Sequence, residues 1–374
     1  MADPISVLTG FLGSGKTTLL RRLLAHPSMA DTAVVINEFG EVGLDHLLVR
    51  EITEDIVLLN SGCVCCTVRE DLVASLLELQ SGRDAGRIPR FRRVAIESTG
   101  LADPAPIIHT LMTNAELMPH YRLGNVITTV DAMHGAGQLD DHTEAVKQAA
   151  MADRLVITKS DLAPHGQAAL ALRLRALNPG APILAATLAD GPGPDQLLDT
   201  GVLDARAKSA DVARWLNAEA YAPTADSGQA HAGGHRHPSD ERHDASIASF
   251  CLVFDHPLAW HTVVEWLELL LASRGESLLR VKGLLNVAGR SRPLVIHGVQ
   301  HVVYPPTELA GWPDGDERSR IVFITRDLPR IAVENSFRAV FGEGLLTPQV
   351  ERPRPQPRAT PPGRSSSRQR IVWS

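Results

Sequence analysis

The segment GFLGSGKT, residues 10–17, constrains this chain more than any other. It matches the pattern G-x-x-x-x-G-K-[ST] and follows directly on an apolar run at residues 5–8, so a strand feeds a glycine-rich turn that opens a helix. Glycines let successive backbone N–H groups converge on phosphate oxygens, and the positive end of the following helix dipole points at the same anion. Lys16 is placed to reach the β- and γ-phosphates, and the Thr17 hydroxyl to complete a magnesium shell. Gly10, Gly13, Ser14, Gly15 and Thr18 are the remaining positions expected to line the nucleotide.

What surrounds that loop sets the fold class. Near-continuous apolar runs recur at residues 5–8, 33–37, 56–59, 93–96, 126–130, 155–158 and 183–186. Helical patterns begin between them near residues 16, 70, 104, 143 and 167. Strands apolar on both faces and separated by helices predict an α/β domain of the P-loop NTPase kind, a parallel sheet with helices on both faces. The segment 221–245, YAPTADSGQAHAGGHRHPSDERHDA, has no apolar periodicity and reads as a histidine-rich flexible linker. Beyond it, strand-like runs at 246–254, 278–282, 293–297, 299–304 and 321–324 accompany helical patterns at 260–272 and 329–341, predicting a smaller C-terminal α+β domain with an antiparallel sheet. The expected division is thus 1–220, a linker at 221–245, a second domain at 246–345, and a basic, disordered tail at 346–374.

Two further segments bear on the nucleotide. Thr158-Lys159-Ser160-Asp161 closes an apolar strand and matches the [NT]-K-x-D pattern that reads guanine. Asp161 can accept hydrogen bonds from the guanine N1–H and exocyclic amine, while the Lys159 stem packs along the purine face. The segment 93–97 ends a strand on a carboxylate, Glu97, followed by STGLADP. At a strand tip facing the phosphate loop, Glu97 either holds a magnesium-bound water or caps the next helix; Gly100 is positioned to meet the γ-phosphate through its N–H.

Cys63, Cys65 and Cys66 stand within NSGCVCCT, just past the third apolar run. Thiolates so crowded suit Zn²⁺ or another soft ion better than a disulfide framework, and three sulfurs leave a tetrahedral position open, as a site that releases its ion requires. Buried reduced cysteines or a redox pair are the other readings; Cys251, in an expected strand, reads as core. The acidic loop NEFGEVGLD after the second strand carries Glu38, Glu41 and Asp45, donors for magnesium or for the thiol-bound ion, in the place of a nucleotide-sensing switch. His231, His235, His237 and His243 can gather metal from the linker or simply be polar linker residues.

The net charge of -6 leaves no basic excess for a general nucleic-acid binder. No run of about 18 apolar residues and no signal-peptide pattern is visible, and with clustered thiols this predicts a cytoplasmic, non-membrane protein. Neither the oligomeric state nor the residue that orients the attacking water is legible.

GFLGSGKTTLL, NEFGEVGLD, GCVCC, ESTGLADP and TKSDL, in this order, resemble the CobW-type metallochaperone GTPases. LLRVKG, VIHGVQ and SRIVFI in the second half resemble the family's C-terminal domain, so the likeness runs over roughly residues 4–340. The resemblance implies hydrolysis of GTP to GDP and phosphate, coupled to delivery of a metal to a client metalloprotein. That metal is zinc in many members and cobalt in others. Carried over, the cargo ligands are Cys63, Cys65 and Cys66, with Glu41 beside them. A nucleotide-binding metal buffer or sensor and a P-loop kinase for a small metabolite are the competing functions.

Overall fold

A computed structural model of the chain describes residues 2–36, 58–60, 68–163, 165–198 and 247–342. In the first half, β1 (Asp3–Gly10), β2 (Thr32–Ile36), β3 (Leu58–Asn60), β4 (Arg93–Glu97), β5 (Tyr121–Asp131), β6 (Arg154–Thr158) and β7 (Ile183–Ala185) form one sheet. Its order is β3-β2-β4-β1-β5-β6-β7, and each pairing is parallel. The connecting helices are α1 (Lys16–Leu24), α2 (Val68–Asp84), α3 (Ala105–Thr113), α4 (Gly135–Asp141), α5 (Thr143–Met151), α6 (Gln167–Leu177) and the short α7 (Pro194–Leu197).

Strand residues alternate between two buried faces. Ile5 and Val7 of β1, Ala33 and Val35 of β2, and Val94 and Ile96 of β4 pack with Leu72, Leu76 and Leu79 of α2 and Ile107 of α3. Their neighbours Leu8, Val34, Ile36 and Ala95 pack instead with Leu19, Leu20, Leu23 and Leu24 of α1. A strand covered on both sides has no polar face to present, so these strands read as unbroken apolar runs. Among the described residues, every expected strand of this half is present within a few residues of its expected limits, apart from β5. That strand reaches back to Tyr121, whose hydroxyl donates to the Leu76 carbonyl at 2.9 Å. Helix α4, sequence GAGQLDD, was not expected; two glycines in seven residues hide any helical pattern.

The second sheet is antiparallel. It contains β8 (Ile247–Phe254), β9 (Leu278–Leu285), β10 (Leu294–Val299), β11 (Val302–Val303), β12 (Thr307–Glu308) and β13 (Ser319–Arg326), in the order β11-β10-β9-β13-β8 with β12 also on β10. The run 299–304, expected as one strand, is instead a hairpin corner. Val299 ends β10, Gln300 turns the chain at φ 48°, and Val302 pairs back on Val299. Helices α8 (Trp260–Arg274) and α9 (Arg330–Phe341) cover one face. There the Trp266 ring stands edge-on to Phe337 at 5.1 Å between centroids and its indole N–H donates to Ser336 Oγ at 3.0 Å. Cys251 is buried in β8, and burial pushes its thiol up to about 12, as befits a core residue rather than a ligand. The expected linker 221–245 and tail 346–374 lie outside the described residues.

The two sheets dock through a small apolar seam and one buried ionic knot. Ala150 packs on Leu279 and Ile324, while Ile108, Val126 and Met151 meet Val299. At the start of β6, one carboxylate oxygen of Asp153 accepts from both Arg280 Nη2 and Lys282 Nζ of β9, each at 2.7 Å. Its other oxygen accepts the Val126 N–H at 3.0 Å. Burial by itself would raise the Asp153 carboxyl, but Arg280 and Lys282 outweigh it and hold the group well below the usual carboxylate range. Removing one member of such a knot strands buried charge. Asp153→Ala is therefore expected to lower stability by about 3–5 kcal/mol, read as a drop in the urea midpoint. A loss below about 1 kcal/mol would mean that water already solvates the knot.

Candidate nucleotide site

Strand order turns at β1, with β4 on one side and β5 on the other, and at such a switch point the carboxyl ends of the strands leave a crevice. The loop 10–15 occupies it. Gly10, at φ 142°, has no space for a side chain: a Cβ there would lie 2.3 Å from Thr129 Oγ1 and 2.5 Å from the Thr129 carbonyl of β5. Gly13 and Gly15 also have positive φ, and α1 starts immediately at Lys16 with Gly15 as its N-cap. Lys16 is 9% exposed and its ammonium donates to the Gly10 and Phe11 carbonyls at 2.9 and 3.2 Å, lying across the loop it serves.

Thr17, on the first turn of α1, meets the end of β4. Its hydroxyl donates to Glu97 Oε1 at 2.6 Å, and Glu97 is 1% exposed. A buried carboxylate bound to the helix-start threonine joins the two hard oxygen donors expected for magnesium, so the donor set fits that ion. Glu97 does not cap the next helix; that hydrogen bond goes from the Ala105 N–H to Asp103 Oδ1 at 3.0 Å. Gly100 lies against the loop so closely that a Cβ would sit 2.8 Å from Leu12 Cα and N. Its segment is held from the side by Gln148 of α5, fully buried, whose amide donates to the Gly100 and Ala102 carbonyls at 3.3 and 2.9 Å.

The end of β6 grips the loop from the other flank. Thr158 Oγ1 donates to the Ser14 carbonyl at 2.7 Å, and Lys159 Nζ donates to the Gly13 carbonyl at 2.8 Å. Lys159 sits at φ 54°, a conformation that costs a residue with a Cβ about 1–3 kcal/mol. An ion pair from its ammonium to Asp131 Oδ2 at 2.7 Å helps to hold it there. Burial alone would raise Asp131, but the hydrogen bonds from Lys159, the Met133 N–H and His134 outweigh it and lower its pKa. Beyond Lys159 a cavity of about 280 Å³ opens beside Gly15, Thr18, Asp161 and the segment 186–188, with exposed Asp161 at its rim. Ala186 closes the far side, its carbonyl accepting from Ser160 Oγ at 3.0 Å.

Lys16, Thr17 and Glu97 thus converge with Gly10, Gly13, Ser14, Gly15, Thr18 and Gly100 at one sheet edge, and Thr158, Lys159 and Asp161 border the adjoining cavity. Asp131, Gln148 and the segment 186–188 were not anticipated. The signal for Asp131 was available, since it is a carboxylate at the tip of an expected strand, as Glu97 is. Cys63, Cys65, Cys66, Glu38, Glu41, Asp45, His231, His235, His237 and His243 lie outside the described residues. Among the described residues no group of three or more His, Cys, Asp or Glu side chains is arranged to hold a metal ion, and no helix is long and apolar enough to cross a membrane.

Comparison with known proteins places this geometry. Residues 4–185 match the family model for the CobW/HypB/UreG nucleotide-binding domain, and residues 247–341 match that for the cobalamin synthesis protein CobW C-terminal domain. The chain is 35% identical over 341 residues to the zinc chaperone YjiA of Escherichia coli, covering 91% of this chain and 98% of that one. It is also 35% identical over 166 residues to zinc-regulated GTPase metalloprotein activator 1 of Schizosaccharomyces pombe, 42% of this chain and 39% of the relative. The crystal structure of Zn(II)-bound YjiA GTPase from E. coli superposes with a TM-score of 0.65 at 30% identity, covering 91% of this chain and 99% of that chain. With both domains matched in order and nearly the whole of one relative aligned, the chain belongs to the CobW family.

Proposed function

We propose that this protein hydrolyses GTP and uses the hydrolysis to hand a metal ion, zinc above all, to a client metalloprotein. The observation that carries the reading is the closure of one loop from two sides. Thr17 and Glu97 meet at its helix end, while Thr158 and Lys159 bind its carbonyls from the base side. The names of the relatives, zinc chaperone and zinc-regulated GTPase, agree with it.

In this reading the loop N–H groups and Lys16 bind the phosphates, and Gly100 approaches the γ-phosphate. Thr17 and Glu97 hold magnesium, which, when bound, neutralises charge developing on the phosphate oxygens. Asp161 accepts the guanine N1–H and amine, with the Lys159 stem along the ring. Gln148 keeps the Gly100 segment against the loop. The functional units are a GTPase domain at 1–220 and a C-terminal domain at 246–345, joined by the histidine-rich linker.

The cargo ion is bound by Cys63, Cys65 and Cys66, with Glu41 as a further donor, and His231, His235 and His237 collect ions for them; cobalt fits the same thiolates. The sheet supports a link between cargo and nucleotide. In the parallel register Asn60 pairs with Ile36 and Ile36 with Glu97, so the described strand ends that precede the acidic and thiol segments in sequence stand in one row with Glu97. Two strand spacings, about 10 Å, separate the end of β3 from the carboxylate that touches Thr17. A change in what Glu97 and Thr17 hold is therefore felt where the acidic loop begins. The coupling is reciprocal, so the ion and GTP tighten each other's binding by one factor.

Three outcomes are expected. Lys16→Ala lowers kcat for GTP by about a hundredfold or more in a phosphate-release assay, since it removes a preorganised charge at the reacting phosphates. Asp161→Asn weakens GTP and strengthens xanthosine triphosphate, whose 2-oxo group accepts from the new amide; unchanged base preference would remove Asp161 from the base site. Reduced protein binds zinc more tightly with magnesium and a non-hydrolysable GTP analogue than without, and Cys65→Ser abolishes the gain. Zinc affinity indifferent to both would leave a GTPase whose thiols are structural.

A further inference from the structure

A second cavity, about 400 Å³, lies between the two domains at the opposite edge of the parallel sheet. It is framed by the starts of β5 and β6 and by β9 and β10. β5 runs from Arg122 at this cavity to Asp131 at the nucleotide site, so about 30 Å of strand separates the two. Its charge is one-sided. Arg122, Arg154, Arg280 and Lys282 line it, and Asp153 is the one carboxylate among its lining residues.

That carboxylate is already committed. One Asp153 oxygen serves both Arg280 and Lys282, and the other takes the Val126 N–H. Arg280 is 5% exposed, yet its Nε and Nη1 are buried without a hydrogen-bond partner in the structure. The Tyr304 hydroxyl, on the same cavity, is also buried without one. Buried donors left unsatisfied cost about 1–3 kcal/mol each, more where the group is charged, so a fold that keeps three of them around one cavity suits an acceptor-rich guest. Leu111, Met112 and Leu309 add apolar surface to the same cavity.

We propose that this interdomain cleft is a second ligand site, which takes a small organic anion. Its carboxylate or phosphate head is held by Arg280 and Tyr304, with Arg122 and Lys282 adding charge, and its apolar body lies against Leu111, Met112 and Leu309. The site is independent of the nucleotide reading, because none of its residues belongs to the phosphate loop or the base cavity. Both domains contribute to the head group's surroundings, so occupancy also ties them together, as the Asp153 knot does.

Isothermal titration of the full chain with hexanoate, hexyl phosphate and hexanol tests this. Saturable binding of one or both anions, and none of hexanol, is the expected result; which anion binds names the head group. Arg280→Met is expected to weaken the bound anion by about tenfold or more, the scale of a lost hydrogen bond to charge. Because Arg280 also helps to join the domains, Tyr304→Phe is the companion variant. It removes only an unpartnered hydroxyl and is expected to weaken binding by about fivefold with the thermal midpoint unchanged. Lys16→Ala should leave binding as it was. Four results would overturn the proposal: no saturation by either anion, which leaves a water-filled cleft; hexanol binding as well as hexanoate; full affinity in Tyr304→Phe; or loss of binding in Lys16→Ala, which moves the anion to the phosphate loop.

Discussion

The position of β1 in the middle of a parallel sheet is the constraint on which the rest of this molecule depends. A parallel strand needs a crossover to reach its neighbour, and the chain leaves β1 towards β2 on one side and β4 towards β5 on the other, which opens a crevice at their carboxyl ends. The loop after β1 lies in that crevice with strand tips on both sides of it. The β4 tip delivers Glu97 to Thr17, and β5 and β6 deliver Asp131, Thr158 and Lys159 to the loop's far flank. The glycines make the turn feasible, but its shape is fixed by these neighbours. Thr129 leaves no room at Gly10, and Leu12 leaves none at Gly100.

The same register that aligns Glu97 with the phosphate loop also aligns it with the ends of β2 and β3. Asn60, Ile36 and Glu97 stand in one row across three neighbouring strand ends. Glu97 is thus two strand spacings, about 10 Å, from the end of β3. The second domain is held at the other edge of the sheet. Its docking rests on few apolar contacts and on Asp153, whose carboxylate accepts from Arg280 and Lys282. A joint of that kind is set by charge as much as by area, and the cavity it encloses is lined by both basic and apolar side chains.

Much of the fold was legible because the first-half strands are buried on both faces and therefore spell continuous apolar runs. The phosphate loop was legible for a related reason, since its turn and helix start demand particular residue types at fixed offsets. Helix α4 was not legible, because its two glycines carry no helical preference and neighbouring elements hold it in place. The hairpin at Gln300 was hidden by the apolar residues on both sides of the turn, which imitate one strand. Gln148 could not have been singled out, as a lone glutamine in a helix becomes a clamp only where that helix lies against residues 100–102.

The sequence by itself determined the class of sheet, the glycine-rich loop at 10–17 and the order of the two domains. Each is encoded within a few adjacent residues, where backbone freedom, apolar period and local spacing suffice. The tertiary structure alone decided that Glu97 meets Thr17 rather than capping a helix, that Lys159 is shared between Gly13 and Asp131, and that Arg122, Arg154, Arg280 and Tyr304 surround one cavity. Those groups are separated by tens to hundreds of residues. Strand order and domain docking bring them together, and neither leaves a periodic mark on the chain.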